Sequence, residues 1–278
     1  MRRTQAAGDV DDGRSIGGAQ KRQEGRGDAH DTGRGGPGRR GRVQARIRRH
    51  HLFSKERHVT TIGIIGAGEV GGQLARAAVA HGYQVVIANS RGPDTLTHLV
   101  DELGPSARAA TAAGAAEAGD FVIIAVPLKL VNDMPVEQLA GKIVLDTNNY
   151  MPWRDGHFRA IDSGEKTVHE LRQEQLPAAK VAKAFTHIQA PRLFLSAAAP
   201  GTPGRHALSV SSDYPEAVEL VTRLYDEFGF DTVDNSPLSE SWRSGPGQPA
   251  WLAHAHQNRE QLAANLADAR RINHPVQG

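Results

Sequence analysis

Apolar residues fall into short runs separated by longer amphipathic stretches, the pattern of buried strands alternating with covering helices. Ile62, Ile64 and Ile65 form the first run, which stops at Gly66. Leu74, Ala75, Ala77 and Ala78 follow at helical spacing, predicting a strand over 61–65 and a helix over 69–81. A second strand spans 84–88. Asp94 is placed to cap a helix reaching Leu103, with Leu96, Leu99, Val100 and Leu103 on one face. An alanine-rich segment, 109–118, predicts a short helix. The run Phe-Val-Ile-Ile-Ala-Val over 121–126 is a strand ended by Pro127. A helical crossover over 128–139 and a strand over 142–146 complete the first half. Strands rich in Ile and Val and separated by helices imply a parallel sheet covered on both faces.

The pattern is less regular beyond 146. Residues 148–164 read as a long loop. Thr167 and Glu170 have the spacing of a capping box, opening a helix that ends before Pro177. Strands are expected over 181–186, 207–211 and 230–233, with loop or short helix over 191–204. Pro215 opens a helix to Phe228, its stripe formed by Val218, Val221, Leu224, Tyr225 and Phe228, and Gly229 stops it. Residues 237–249 read as loop and 251–271 as a surface helix. The fold class predicted is α/β, a Rossmann-type doubly wound, mostly parallel sheet with a small C-terminal α/β lobe. The domain reading is a basic Gly/Arg-rich extension over 1–58, a dinucleotide-binding domain over 59–188, a small substrate or partner lobe over 189–252, and a C-terminal helix or tail over 253–278.

Charge separates the extension from the rest. Residues 1–58 hold fifteen Lys and Arg against seven Asp and Glu, leaving eighteen against twenty-four in the remainder. The same segment carries eleven glycines and thirteen arginines with almost no apolar periodicity, a composition expected to stay disordered. Nucleic-acid contact would fall to this tail alone and is not the expected role. Val59 directly precedes the first strand, and a GTG start codon there would yield a compact domain. N-terminal sequencing of the native protein checks this, since abundant peptides upstream of Val59 would refute it. There is no cysteine, which removes disulfides, thiolate nucleophiles and cysteine metal sites. No apolar run approaches the ~20 residues of a membrane span. The expectation is a cytoplasmic enzyme, with a homodimer as the default association.

The candidate chemistry begins at Gly66-Ala-Gly68-Glu-Val-Gly71, a G-x-G-x-x-G between strand and helix. A pyrophosphate needs unobstructed backbone N–H groups and a helix N-terminus. Gly66 permits the turn, Gly68 the close approach and Gly71 the packing of helix on strand; Ala67, Glu69 and Val70 complete the cradle. An NAD site would carry an acidic residue at the end of the second strand. Here the chain reads Asn89-Ser90-Arg91, with no carboxylate, a hydroxyl and a guanidinium matched to phosphate. The cofactor expected is therefore NADP(H). Ala125, Val126 and Pro127 end the next strand and are expected to line the dinucleotide groove. Asn148, after Asp146, is a candidate for the nicotinamide end, while for Asp146 the alternative reading is a local cap of the next segment. His187, after the strand that follows, is a weak candidate proton donor, and packing at a strand end explains it equally well. The remaining histidines show no metal spacing, and no G-x-S-x-G is present.

These segments together, from 63–71 through Ile87-Ala-Asn-Ser-Arg-Gly-Pro93, Ala125-Val-Pro127, Asp146-Thr-Asn-Asn-Tyr150 and Lys183-Ala-Phe185, resemble the NADPH-dependent coenzyme F420 reductase (F420-dependent NADP oxidoreductase) family over about 60–251. The resemblance implies direct hydride transfer between NADPH and F420, a small-molecule redox partner, with cofactor roles for Gly66, Gly68, Gly71, Ser90 and Arg91. Hydride transfer asks for alignment and water exclusion rather than an acid–base pair. No F420-site motif matches residue by residue. Two alternatives stand beside it. One is an NADPH-dependent imine or carbonyl reductase of the pyrroline-5-carboxylate reductase or β-hydroxyacid dehydrogenase kind, against which the continued strand–helix alternation after 146 counts. The other is a non-catalytic NADPH sensor.

Overall fold

The computed structural model describes residues 59–271. The expected extension over 1–58 lies outside them. The described residues fall within one compact unit. Its strands are β1 Thr61–Ile65, β2 Gln84–Ala88, β3 Ala107–Ala109, β4 Phe121–Ile124, β5 Ile143–Asp146, β6 Lys180–Lys183, β7 Ala207–Ser212 and β8 Asp231–Asp234. Its helices are α1 Glu69–Ala80, α2 Thr97–Leu103, α3 Ala112–Ala118, α4 Val136–Leu139, α5 Pro152–Asp155, α6 Arg159–Asp162, α7 Val168–Gln175, α8 Arg192–Leu195, α9 Pro215–Phe228, α10 Pro249–Leu252 and α11 Arg259–Ala267.

The strands form one sheet in the order β3-β2-β1-β4-β5-β6-β7-β8. The first six are parallel, in the doubly wound order that places ligands outside their carboxyl ends. β7 runs antiparallel to β6, and β8 is parallel to β7 across α9. β7 and β8, from the segment read as a small lobe over 189–252, extend the edge of the same sheet.

Strand alternation fills both faces. Ile62, Ile64, Val85, Ile87 and Ile123 face one way, against Leu74 and Ala77 of α1 and Val221, Leu224 and Phe228 of α9. Ile65, Val122, Ile124, Val144 and Val181 face the other, against Ala116 of α3, Leu139 of α4 and Leu176 at the end of α7. Burial of a large aliphatic side chain contributes roughly 1.5–3 kcal/mol, so these two layers carry the sheet.

Several elements differ from the sequence reading. Asp94 caps no helix: Pro93 fixes the entry to a 3-10 turn, Pro93–Leu96, and Asp94 lies within it before α2 begins. β3 was not expected, because Ala-Arg-Ala has no β-branched residue and is held only by pairing with β2. The long loop after β5 contains α5 and α6, and the 237–249 loop contains a 3-10 segment, Leu238–Ser244. The surface helix over 251–271 is two helices, α10 and α11. The first ends at Leu252, and Asn258 opens the second through a capping box with Gln261. Leu262 and Leu266 of α11 are buried against Ala207 and Ala250 rather than exposed.

Candidate functional site

The carboxyl ends of β1, β2, β4 and β5 bring the expected residues to one edge. Gly66 N–H donates to the Ala88 carbonyl at 2.8 Å, and Ala125 N–H to the Ile65 carbonyl at 2.8 Å. These bonds tie the glycine turn to the ends of both neighbouring strands. Gly66 has φ +112, and a Cβ there would lie 2.3 Å from the Ala125 carbonyl oxygen. At Gly71 a Cβ would fall 1.8 Å from the Gly66 oxygen. Both positions are closed by backbone. Gly68 is the opposite case: a Cβ would meet nothing within 4 Å. It is the N-cap of α1 and brings no side-chain cap bond. The first N–H groups of α1, which have no partner within the helix, are therefore bare toward open space. Glu69 is exposed, while Ala67 and Val70 pack partly against the core. Val126 stands over the turn, its Cγ1 within 2.8 Å of the place a Gly66 Cβ would occupy.

Asn89 shapes the loop after β2. Its Oδ1 accepts from Arg91 N–H at 3.0 Å, and its Nδ2 donates to Thr95 Oγ1 at 2.8 Å. Thr95 Oγ1 donates in turn to the Gly92 carbonyl at 2.8 Å. This is an Asx turn, in which the side chain replaces a backbone bond. Its consequence is that Ser90 and Arg91 are presented outward, exposed, with no side-chain hydrogen bond or ion pair among the described residues. Asn89 is thus the support of the pair rather than a third free donor.

Asp146, the last residue of β5, is fully buried and anchors the other half of the edge. Its Oδ1 accepts from Asn148 N–H at 3.0 Å and Asn148 Nδ2 at 2.5 Å; its Oδ2 accepts from Arg172 Nε of α7 at 3.0 Å. Burial alone would raise the Asp146 carboxyl. Arg172, His169 and the Asn148 bond outweigh it and hold the group below the usual carboxylate range. Asp146 does cap the turn that follows it, but its buried ion pair with Arg172 could not be read from spacing. Asn148 is buried with one amide N–H bound to Asp146, which leaves its second N–H and Oδ1 available.

His187 sits inside the sheet junction, buried, with Nε2 accepting from Ser209 N–H of β7 at 2.9 Å. Burial draws its pKa to about 3, with Lys183 and His206 adding to the shift. A ring so enclosed and neutral fits the packing reading of the two given for it. The chain reaches it through Phe185, whose φ of +56 is sustained by a bond from Phe185 N–H to Tyr225 Oη at 2.9 Å.

Beside Asn148 a cavity of about 430 Å³ opens between the loop after β5, the first turn of α7, Lys183 and the 241–248 segment. Sequence reasoning did not find it. Two signals pointed to it. His169 and Arg172 stand three apart on the helix opened by the Thr167 capping box, so they share a face, and both are buried. Lys183 lies among Val181, Ala182, Ala184 and Phe185, all of them buried with it. A lysine so enclosed is uncommon unless paired or functional.

Among the described residues, no group of three or more His, Cys, Asp or Glu is placed to hold a metal, and no helix is long and apolar enough to cross a membrane.

Residues 61–150 match the family model described as NADP oxidoreductase, coenzyme F420-dependent. The hypothetical protein SMa0349 from Sinorhizobium meliloti is 34% identical in sequence, with a TM-score of 0.56, over 68% of this chain and 88% of that one. A candidate F420-dependent NADP-reductase from Arthrobacter sp. FB24 is 25% identical, TM-score 0.56, over 65% of this chain and 86% of that one. Among curated proteins, YjhV of Escherichia coli K12 is 39% identical over 51 residues, which are 18% of this chain. The chain therefore matches little more than a third of that relative's length, 37%.

Proposed function

The chain belongs to the coenzyme F420-dependent NADP oxidoreductase family, and from that premise we propose that it moves a hydride between NADP(H) and a second redox partner, coenzyme F420. The observation that carries the cofactor half is the pairing of a bare glycine cradle with an outward Ser90–Arg91 pair. Gly68 leaves the N-terminus of α1 open, which suits a pyrophosphate. Ser90 and Arg91 would hold a 2′-phosphate, and no carboxylate at the end of β2 repels it. Asn89 keeps that pair in place, and Val126 and Pro127 line the groove between cradle and sheet edge. Asn148 Oδ1 would accept from the carboxamide end. NADPH, when bound, supplies a hydride from its nicotinamide ring. The chain's own part is to align the ring and exclude water along the edge from 125–127 to 148.

A second reading, reduction of a small imine or carbonyl, is favoured by one observation: the buried polar residues His169, Lys183 and Ser241 in the wall of the cavity. Two measurements separate these. Dissociation constants for NADPH and NADH are compared first, and equal values would reject the NADP assignment. Bleaching of F420 by NADPH in the presence of the protein is then followed against oxidation of NADPH by a cyclic imine. F420 turnover supports the leading reading, and imine turnover alone supports the second. Tight NADPH binding with neither would reject both.

A further inference from the structure

Four buried side-chain atoms around the cavity have no hydrogen-bond partner: Asn149 Oδ1, His169 Nε2, Ser241 Oγ and Trp242 Nε1. All four residues line it. A buried polar atom left unpaired costs about 1–3 kcal/mol. These four atoms are covered by their surroundings, and it is the side chains carrying them, together with Lys183, that line the space. Lys183 lines the same space, 2% exposed, and its Nζ donates to the Ser241 carbonyl at 2.6 Å. An ammonium has three donors, so two of its N–H groups find no acceptor among the described residues.

We infer that this cavity receives the hydride acceptor, a molecule with a polarised C=O or C=N bond, isolated or within a conjugated ring, and that Lys183 hands the heteroatom of that bond its proton. The inference rests on the oxidoreductase reading above. The acceptor carbon gains a hydride from NADPH while the π pair of its double bond moves to the heteroatom. A Lys183 N–H bond breaks, a heteroatom–H bond forms, and water returns the proton to the lysine. NADPH, one proton and the acceptor thus become NADP⁺ and the reduced acceptor. The side chains of Asn149, His169 and Trp242 border the same space and so flank the bound acceptor.

The surroundings of Lys183 suit that role. Asp146 of β5 acts on it, itself bound to Arg172 of α7; Lys183 in turn lowers the pKa of His169 of α7 and His187 after β6, and the Ser241 carbonyl accepts from it. Burial draws the ammonium down to about 7, with Asp146 acting in the opposite direction. Both histidines are held neutral, each drawn to about 3 chiefly by burial. The lysine is thereby ready to give and regain a proton near neutral pH.

The test uses the full chain, its Lys183→Gln and Lys183→Met variants and two readouts. The first is single-turnover oxidation of bound NADPH by F420 and by a five-membered cyclic imine, followed as pH rises through about 7. The wild type loses rate across that range, because the protonated lysine is the donor. Both variants fall by roughly 10²–10⁴-fold and lose the inflection. The second readout needs no turnover: each acceptor is titrated into the NADP⁺ complex while Trp242 fluorescence is followed, with Trp242→Phe identifying the reporter. Quenching of Trp242 by the acceptor that turns over, retained in the folded lysine variants, supports the site. If the wild type oxidises NADPH with neither acceptor, the oxidoreductase reading fails and takes the inference with it. If the wild type turns over and a folded lysine variant keeps its rate and pH profile, or the acceptor binds without quenching Trp242, the inference alone is overturned.

Discussion

Arg172 and Asp146 form an ion pair with no solvent access, Nε to Oδ2 at 3.0 Å, joining α7 to the end of β5. The pair fixes the floor on which Asn148 turns. Removing one partner leaves a buried charge uncompensated, at a cost of about 3–5 kcal/mol. Arg172→Leu is expected to lower the urea midpoint accordingly. The double variant Arg172→Leu with Asp146→Asn should recover much of that loss, since it removes both charges and keeps an acceptor for Asn148. A double variant no more stable than the single would show that the charge is not what matters.

Gly68 and Gly71 are expected to part company on substitution. Gly71→Ala forces a methyl to 1.8 Å from the Gly66 oxygen, so the helix must shift and both stability and NADPH binding fall. Gly68→Ala meets no atom within 4 Å, so thermal stability should stay near wild type while NADPH binding weakens by about tenfold or more. Thermal melts and cofactor titration of both variants check this, and a Gly68→Ala protein with unaltered NADPH affinity would contradict the cradle.

Arg91→Ala removes an exposed guanidinium with no partner among the described residues, so folding is not expected to change. A hydrogen bond to a charged group contributes about 1.5–3 kcal/mol, which is a loss of roughly ten- to a hundredfold in NADPH affinity. NADH, lacking the phosphate, should bind the variant as it binds the wild type. Isothermal titration with each cofactor decides it.

Acid should destabilise the fold through its histidines before the carboxylates titrate. His169 and His187 are drawn by burial to about 3, and His206 to about 4. The unfolded chain takes up these protons near the ordinary value of about 6.5. Stability from keeping the rings neutral is therefore complete above about 6.5 and lost as pH falls toward those lowered values. At about pH 5.5 each histidine costs about 1 kcal/mol. Urea midpoints at pH 7.5 and 5.5 should differ in that sense, and by less in a folded His169→Leu variant; a flat profile would refute the neutral rings.

Thr167→Ala removes one half of a capping box whose two bonds, Glu170 N–H to Thr167 Oγ1 at 3.1 Å and Thr167 N–H to Glu170 Oε2 at 2.7 Å, open α7. A loss of about 1 kcal/mol follows. Because His169 and Arg172 ride on that helix, the loss should be accompanied by weaker acceptor binding but unchanged NADPH binding, both measurable by titration.

Much of the architecture was legible because it is written locally. The run from Ile62 to Ile65, the glycines after it, and the stripe from Val218 to Phe228 closed by Gly229 each carry their own period and punctuation. Such segments name their structure wherever they are placed. Ser90 and Arg91 were legible for a related reason: the chemistry there lies in what the end of β2 lacks, a carboxylate. β3 was not legible, because three residues without β-branching become a strand only when β2 is beside them. The division at Asn258 was missed because a helical pattern continues through a cap.

What the sequence alone determined, then, is the strand–turn–helix of 61–80: a strand, a glycine turn and a helix adjacent in the chain are adjacent in space, so their geometry can be read in order. Only the tertiary structure decided the other half. Asp146, Arg172 and Lys183 belong to β5, α7 and β6, and Trp242 to a segment that returns after two further strands. Burial turned Asp146 and Arg172 into a pair, drew Lys183 toward neutrality beside one cavity and enclosed His187. Desolvation is a property of the folded neighbourhood rather than of residue order.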